Sequence, residues 1–442
     1  MTSAGGLVRA SSFEPKDSLL SGPAAGVVGA RAAAARSRHS KVISFDMGGT
    51  STDVARLDGD VEFVFEHRVG DAHIVAPAVA VESVAAGGGS IVWYDTSGVP
   101  GLRVGPHSAG ASPGPACYGA GGPLTITDVN LLLGRLHAPR FNIPISIDAA
   151  RRRAAELVAT VRACTSQPVE QDELLEGIID IADEQMAAAI RTISVQKGYD
   201  PSDYGLVAFG GAGGQHACGV ADRLGIATVL IPADVGLLSA AGLAASTIER
   251  VAERQVLREL ADDGEWIASL VQSLSAEAMA LVAAEVANPA HVAVGRVLVS
   301  MRLKAQESAL VIEAATPSKA SPTRLLEAFR ARYRATYGYA PPTRPIEVES
   351  VRVTARSTPV GRDAVKPPDT SSGTRPPPAS APARFGGAWA AASLRERDAL
   401  APASPVPGPA LVLEDHGTTV IPPGWEAQVD DCLLYTSDAA DE

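Results

Sequence analysis

The residues most capable of chemistry lie in one short segment, 45–53, which reads Phe-Asp-Met-Gly-Gly-Thr-Ser-Thr-Asp. An apolar strand over 42–45 runs into two glycines, which let successive backbone N–H groups turn toward an anion. Three hydroxyl side chains follow and add further donors. These groups predict a phosphate-binding loop whose donors come from Gly48, Gly49, Thr50, Ser51 and Thr52.

Two carboxylates, Asp46 and Asp53, flank this loop. Because like charges repel, neither is expected to contact a phosphate directly. We interpret both as catalytic groups that hold Mg²⁺ or orient a water beside the phosphate, with Asp46 as the metal ligand. An ordinary β-hairpin, with a second turn at 58–60, is the alternative that this segment leaves open.

Two more glycine-rich loops occupy 85–90 and 210–214. The second follows an apolar strand over 206–209 and precedes a helix over 215–224. Its free N–H groups would therefore lie at a helix N-terminus, where anions are favoured. It lacks the spacing of a dinucleotide-binding fingerprint. The candidate binding residues in it are Gly210, Gly211, Ala212, Gly213 and Gly214.

Single residues elsewhere allow other chemistry. His216 could contact a nucleotide or act as a base, and a buried structural histidine is the alternative. Cys117 lies ten residues after His107, and this pair allows the hypothesis of a Cys/His hydrolase. No neighbour in the sequence visibly lowers the pKa of the thiol, so a role in rigid loop packing is the alternative. Asp128 is either an N-cap or a pocket residue that faces a ligand.

The composition restricts the class of protein. The 442 residues are 46% hydrophobic and 20% charged, which suits a globular protein of two or three domains. The net charge of −12 argues against nucleic acid or an anionic membrane as the main partner. The four cysteines form no C-x-x-C pair, which indicates neither a disulfide framework nor a thiolate zinc site and fits a reducing cytoplasm. No apolar run approaches the roughly 18 residues of a membrane span.

Periodicity predicts the elements that must position these groups. Apolar residues at three- and four-residue spacing predict helices over 148–163 and 171–196, and a further helix over 262–286. Ser321-Pro322 marks another helix start. Strands alternate with helices up to about residue 250, which indicates an α/β core with a parallel or mixed sheet. The predicted strands are 42–45, 61–65, 206–209, 228–231, 292–303, 308–313, 348–355, 411–413 and 418–421.

Changes in composition and in the pattern of predicted elements divide the chain into five parts. Residues 1–250 carry the α/β core, and 251–358 form an α+β segment. A stretch rich in Pro, Ser, Thr and Gly over 359–383 reads as a linker, and 384–431 as a small C-terminal β module. The last residues, 432–442, look like non-native sequence and are expected to be disordered.

A series of short segments extends along nearly the whole chain, at 21–26, 45–54, 86–91, 104–110, 113–119, 127–136, 198–201, 208–218, 333–342 and 418–425. In this order, they resemble the hydantoinase A / 5-oxoprolinase family. The loop that continues through Gly214-Gln215 looks closer to the oxoprolinase branch. Residues 432–442 depart from the family's pattern, and His107 stands where the family commonly has Glu.

The resemblance implies a partial actin-like, sugar-kinase-like ATPase core, with 46–53 as its second phosphate loop and 210–214 as the adenosine-side loop. It implies ATP and Mg²⁺ as cofactors. Family members couple ATP hydrolysis to opening the ring amide of 5-oxoproline, hydantoins or related lactams, and phosphoryl transfer to the lactam oxygen would create a good leaving group. Related carboxylases activate a ketone instead, so an ATP-dependent carboxylase subunit is an alternative.

The family usually begins with another actin-like segment that carries its first phosphate loop, and no such loop precedes residue 40 here. We therefore expect a fragment of an ATP-dependent cyclic amide hydrolase that is a poor ATPase by itself. The resemblance implies a lactam substrate, a hydantoinase B-like subunit or domain as partner, and a homo-oligomer. A nucleotide-binding, non-catalytic interaction protein is the alternative from another functional class.

Overall fold

The structure is a computed structural model of the 442-residue chain. It describes residues 1–69, 71–141, 143–165, 168–233, 235–260, 265–286, 288–314, 316–339, 343–357, 379–402, 404–429 and 433–438. The chain divides into two compact units. Unit 1 comprises 1–19 with 245–363, and unit 2 comprises 20–244 with 364–442.

The α-helices follow the apolar periodicity of the sequence, and their bounds are α1 Ser21–Arg36, α2 Ile126–Leu132, α3 Ile147–Thr165, α4 Gln171–Ile193, α5 Gly213–Leu224, α6 Leu238–Ala245, α7 Glu265–Ala283 and α8 Pro322–Tyr337. The predicted helices at 148–163, 171–196, 215–224 and 262–286 all form, with ends displaced by up to a few residues. Ser321 is the N-cap of α8, as predicted. Helix α1 was not predicted, because its Ala- and Gly-rich sequence shows no amphipathic period.

The strands are β1 Lys41–Met47, β2 Thr52–Asp58, β3 Asp60–Val61, β4 Phe63–Val69, β5 Ala72–Val79, β6 Glu82–Val84, β7 Ser90–Asp95, β8 Gly101–Ser108, β9 Gly205–Phe209, β10 Thr228–Pro232, β11 Glu249–Glu259, β12 Val292–Leu303, β13 Leu310–Ala314, β14 Ile346–Ser357, β15 Ser380–Phe385, β16 Ala388–Glu396, β17 Val406–Pro407, β18 Ala410–Leu413, β19 Thr418–Ile421, β20 Trp425–Val429 and β21 Leu433–Asp438. Every predicted strand is present. No strand was predicted between 66 and 123, where the described residues form most of β4 and all of β5–β8.

Unit 2 is built on a mixed sheet with the order β17-β20-β21-β10-β9-β1-β2-β3, and β6 pairs with β2. Strands β1, β9 and β10 run parallel, and the outer pairs are antiparallel. The three parallel strands are buried along almost their whole length, as expected where helices cover both faces of a sheet. The carboxyl ends of β1 and β9 therefore meet at one edge of the sheet, and this edge carries the glycine loops after both strands.

The last part of the chain differs from the expected arrangement. Strand β15 begins at Ser380 and pairs with β16, so the predicted linker over 359–383 ends earlier than expected; its residues 359–378 lie outside the described part. Strands β15, β16, β18 and β19 form a separate four-stranded sheet. The remaining strands from this region extend the central sheet, so 384–431 is not a separate module but part of unit 2.

Residues 433–438 correct the expectation of a disordered tail. They form β21, which pairs with β10 on one side and β20 on the other. The prediction of disorder rested on interpreting residues 432–442 as a departure from the family's pattern. The segment reads Leu-Leu-Tyr-Thr-Ser-Asp, and its Tyr and Thr favour a strand once two neighbouring strands supply hydrogen bonds.

Unit 1 contains an antiparallel sheet with the order β11-β14-β12-β13, covered by α7 and α8. By length and composition, helix α7 is long and apolar enough to cross a membrane. Polar residues interrupt its sequence, so it contains no uninterrupted apolar run. Its side chains at Ile267, Val271 and Leu274 are fully buried in the core of this unit. We attribute its apolar character to this packing.

Candidate functional site

The segment 45–53 forms a tight hairpin at the end of β1. Asp46 pairs with Asp53 and Met47 with Thr52 across the two antiparallel strands. The N–H of Gly48 donates to the carbonyl of Ser51 at 3.1 Å, which closes the turn. The hairpin alternative is thus the observed geometry, and it is compatible with an anion loop because the tip at 49–50 is exposed.

The loop 85–90 packs against this hairpin and holds it by backbone hydrogen bonds. The N–H groups of Gly88 and Gly89 donate to the carbonyls of Gly48 and Gly49 at 3.0 and 2.6 Å. A Cβ atom on Gly87 would lie 2.7 Å from the backbone of Thr50. Only glycine permits this approach, so the loop fixes the shape of the hairpin and its donors at Gly88 and Gly89 are used within the protein.

The loop 210–214 lies beside the hairpin because β9 is the parallel neighbour of β1. Gly210 has a φ of 80°, and a Cβ there would lie 2.4 Å from the carbonyl oxygen of Met47 and 2.6 Å from Oδ1 of Asp46. The N–H of Ala212 donates to the same Met47 carbonyl at 3.0 Å. Helix α5 begins at Gly213, so its N-terminus follows directly after this contact. The structure thus brings together the two loops that the sequence singled out.

The two carboxylates are partly buried and close enough to interact. Burial, and secondly the charge of Asp53, raise the pKa of Asp46 to about 6. The hydroxyl of Ser239 donates to Oδ2 of Asp46 at 3.4 Å and acts in the opposite direction. Burial also raises the pKa of Asp53, which accepts a hydrogen bond from Ser83. A cation between these groups would relieve both the repulsion and the cost of burying charge.

The donor set suits Mg²⁺ held jointly with a phosphate. Within the described ranges, no cluster of three or more His, Cys, Asp or Glu side chains could hold a metal. Mg²⁺ usually keeps several waters and takes only one or two protein carboxylates beside a substrate phosphate. Asp46 and Asp53 fit that pattern, and an all-protein cage is not required.

Two helices that the site hypothesis did not include close the space behind Asp46. A Cβ on Gly26 of α1 would lie 3.2 Å from Oδ2 of Asp46. A Cβ on Gly242 of α6 would lie 1.9 Å from the carbonyl of Ala25, so α1 and α6 approach closely. Helix α6 also carries Ser239. The sequence signal was the small-residue segment 21–26, which was recognised only as part of the family resemblance.

Five candidate binding residues must be corrected, beginning with His216 and Thr52. His216 is buried, its Nδ1 lies 2.6 Å from Oδ1 of Asp183, and its Nε2 lies 3.0 Å from Nδ2 of Asn130. Both ring nitrogens are thus engaged within the protein, so His216 is a structural residue. Thr52 is also buried, and its hydroxyl donates to the carbonyl of Ala86 at 2.5 Å.

Gly214 is the third correction. A Cβ there would lie 2.8 Å from Oγ1 of Thr419, because the four-stranded sheet packs against this side of α5. Its backbone therefore serves helix–sheet packing instead of facing the hairpin. Ala212 and Gly213 are buried as well, and their N–H groups donate to the carbonyls of Met47 and Gly210 at 3.0 and 3.2 Å. The candidate binding residues that remain accessible or partly accessible are Gly48, Gly49, Thr50, Ser51, Gly210 and Gly211.

The Cys/His hydrolase hypothesis fails on the environment of Cys117. The side chain is fully buried, and burial together with nearby Asp128 raises the pKa of the thiol. A raised pKa removes the thiolate that a nucleophile requires. His107 lies at the exposed end of β8.

Asp128 is a buried capping residue. It is the third residue of α2, whose N-cap is Thr125, and not the N-cap itself. Its carboxylate accepts hydrogen bonds from the backbone N–H groups of Ala116, Cys117 and Thr125 at 2.7 to 3.0 Å. It therefore shapes the loop 113–119 and does not face a ligand.

Two family profiles match the chain in succession. The Hydantoinase/oxoprolinase profile matches residues 1–252, and the Hydantoinase/oxoprolinase C-terminal domain profile matches 258–438. The chain belongs to the hydantoinase/oxoprolinase family. The second match includes β21, in agreement with its place in the central sheet.

Individual members of this family show how much of the relatives the chain represents. It is 34% identical to the 5-oxoprolinase PfmaA of Pestalotiopsis fici over 459 residues, covering 100% of this chain and 35% of that protein. The crystal structure of the ATP-dependent caprolactamase from Pseudomonas jessenii superposes with a TM-score of 0.83 at 26% identity, over 99% of this chain and 64% of that one. Nucleotide-free acetone carboxylase gives a TM-score of 0.72 at 23% identity, over 99% of this chain and 64% of that one, a likeness of fold.

These comparisons confirm the expected mixed α/β fold, which the hydantoinase/oxoprolinase family shares with both solved structures. The chain spans about a third of the length of the 5-oxoprolinase that it matches from end to end. What its longer relatives do as whole proteins is therefore carried over only as a proposal.

Proposed function

We propose that this chain supplies one side of the ATP site of an ATP-dependent cyclic amide hydrolase of the 5-oxoprolinase type. The observation that carries the proposal is the contact between two glycine loops at the shared edge of β1 and β9, with Asp46 between them. Family membership and relatives named 5-oxoprolinase and caprolactamase support cyclic amides as the substrate class.

The hairpin tip at 48–51 would bind phosphate oxygens through its backbone N–H groups and the hydroxyls of Thr50 and Ser51. Gly210 and Gly211 would approach the nucleotide from the α5 side, where the helix N-terminus favours negative charge. The loop 85–90 would keep the hairpin rigid during the reaction. These contributions amount to positioning and charge compensation, which are the protein's main tasks in phosphoryl transfer.

Asp46 would hold Mg²⁺, and Asp53 would hold a water of its coordination shell or orient it, with Ser83 fixing the carboxylate. ATP and Mg²⁺ would supply a phosphoryl group that converts the lactam oxygen into a good leaving group. The raised pKa values of both carboxyls mean that their charged forms are disfavoured in the free chain, and a bound cation would favour those forms.

The remaining parts of the proposal rest on the family and, for the location, on the cysteine pattern. We propose a cytoplasmic protein that works with a hydantoinase B-like subunit or domain and forms a homo-oligomer. The longer relatives contain further residues beyond the region matched here, and an equivalent segment would supply the other side of the ATP cleft. The chain alone is then expected to bind nucleotide weakly and turn it over slowly.

Isothermal titration with ATP and Mg²⁺ tests the site. Asp46→Asn is expected to weaken MgATP binding at least tenfold, because it removes the metal ligand. Asp58→Asn is the matched control, since Asp58 is exposed at the opposite end of the same strand pair. Equal affinities of the wild type and Asp46→Asn would refute the assignment.

A turnover assay tests the reaction separately. The chain is joined to the N-terminal segment that the resemblance implies, and glutamate release from 5-oxoproline is measured with and without ATP. Release that depends on ATP and on Asp53 is the expected result. Nucleotide binding without release would favour the non-catalytic interaction protein, and bicarbonate-dependent consumption of a ketone would favour the carboxylase.

A further inference from the structure

A second cavity lies at the opposite end of β1 from the nucleotide loops. It has a volume of about 260 Å³ and lies between the C-terminal end of α1 and the β1–β2 pair. Its charged lining residues are the basic Arg31 and Arg38, joined by His39, and none of the lining residues is acidic. Its floor is apolar and includes Ala34, Val42 and Leu57. Because β1 has seven residues, about 20 Å separates this cavity from the hairpin.

Arg38 follows the C-terminal end of α1 and has a left-handed backbone conformation, which is unusual for arginine. Arg38 has a φ of 61°, in the left-handed region that favours glycine. Its N–H donates to the carbonyl of Ala35 at 3.3 Å, and that of His39 donates to Ala34 at 3.0 Å. This is the Schellman arrangement, in which the left-handed position is usually glycine. An arginine there carries a conformational cost that a role in helix termination does not explain.

The guanidinium groups of Arg31 and Arg38 differ in their ion pairing. Arg31 forms an ion pair with Asp60 at 2.5 Å, which holds its side chain against the cavity. No ion pair joins Arg38 to another described residue, and its side chain is exposed at the mouth. A guanidinium forms two parallel hydrogen bonds with a carboxylate, so Arg38 offers a bidentate site beside an apolar floor.

We propose that this cavity is a binding site for a small organic carboxylate. The carboxylate would pair with Arg38, and the apolar body would lie on the floor formed by the side chains of Ala34, Val42 and Leu57. This site is separate from the nucleotide loops and does not depend on the function proposed for them.

Ligand-observed NMR with benzoate tests the site, with benzamide as a neutral probe of the same shape. Benzoate is expected to bind the full chain and benzamide to bind at least tenfold more weakly. Arg38→Gly is expected to reduce benzoate affinity at least tenfold without loss of folding, because glycine suits the left-handed conformation. Arg36→Ala is the matched control, since Arg36 is the last residue of α1, two positions before Arg38, and does not line the cavity.

A second pair of variants tests charge without touching Arg38. Ala35 is exposed and lines the cavity, so Ala35→Glu is expected to abolish benzoate binding and Ala35→Gln to retain it. Three results would each overturn the proposal. They are the absence of benzoate binding to the wild type, equal benzoate binding by the wild type and Arg38→Gly, and equal binding of benzoate and benzamide by the wild type.

Discussion

Asp46 and Asp53 are direct cross-strand partners in the β1–β2 pair, so two carboxylates face the same side of the sheet at its glycine-rich edge. Like charges placed opposite each other destabilise a strand pair. Burial adds to this cost, and it raises the pKa of both groups. The free chain is therefore strained electrostatically at the position where the proposed Mg²⁺ would bind.

Asp46→Asn is expected to stabilise the free chain at pH 8. The pKa of Asp46 is raised from 3.8 to about 6, so the folded state holds its proton more tightly than the unfolded state. The contribution of Asp46 to the free energy of unfolding is therefore fully present below about pH 4, and it is lost as the pH rises from about 4 to 6. Asparagine removes this loss, which is on the order of 3 kcal/mol.

Urea denaturation at pH 4 and pH 8 measures this effect. The variant should exceed the wild type at pH 8 and match it within error at pH 4. Asp58→Asn, on the exposed end of the strand pair, should show no such difference. A stabilisation of equal size at both pH values would contradict the electrostatic explanation.

Gly87→Ala is expected to destabilise the chain by about 1 to 3 kcal/mol and to weaken MgATP binding. The added methyl would lie 2.7 Å from the backbone of Thr50, so the hairpin must move. Gly177→Ala provides the control, because a Cβ at this position in α4 meets no atom within 4 Å. That control should gain about 0.5 to 1 kcal/mol from helix propensity, and thermal melting with titration calorimetry compares the two.

His216→Ala is expected to lower stability by about 1 to 3 kcal/mol, because it leaves Asp183 and Asn130 buried with fewer partners. MgATP affinity of the folded variant should stay within twofold of the wild type, since His216 does not face the hairpin. His107→Ala, at an exposed position, should change neither quantity. A tenfold loss of affinity in His216→Ala would restore the original interpretation of this residue as a nucleotide contact.

Brief alkylation of the native chain with iodoacetamide at pH 8 should modify Cys164 and spare Cys117 and Cys218. Cys164 is exposed, whereas the other two are buried and the pKa of the Cys117 thiol is raised. Peptide mass spectrometry gives the extent of labelling at each site. Rapid labelling of Cys117 would revive the cysteine-hydrolase hypothesis.

The sequence predicted elements where periodicity is strong and local. Helix α4 and the strand–loop–helix unit from β9 to α5 are examples, because burial patterns and glycines mark their bounds. It did not predict the role of Gly87–Gly89, because their hydrogen bonds join loops far apart in the chain. His216 was assigned to the nucleotide because its position after a glycine loop was visible, whereas its partner Asp183 lies on another helix.

The position of β21 and β20 beside β10 has a consequence for synthesis of the chain. Strand β10 is translated about 200 residues before β21, which covers its free edge and is in turn paired with β20. All of unit 1 after residue 19 is synthesised in between. The nascent central sheet therefore keeps an unpaired edge until residues 433–438 have been synthesised, and an unpaired strand edge is a site of aggregation.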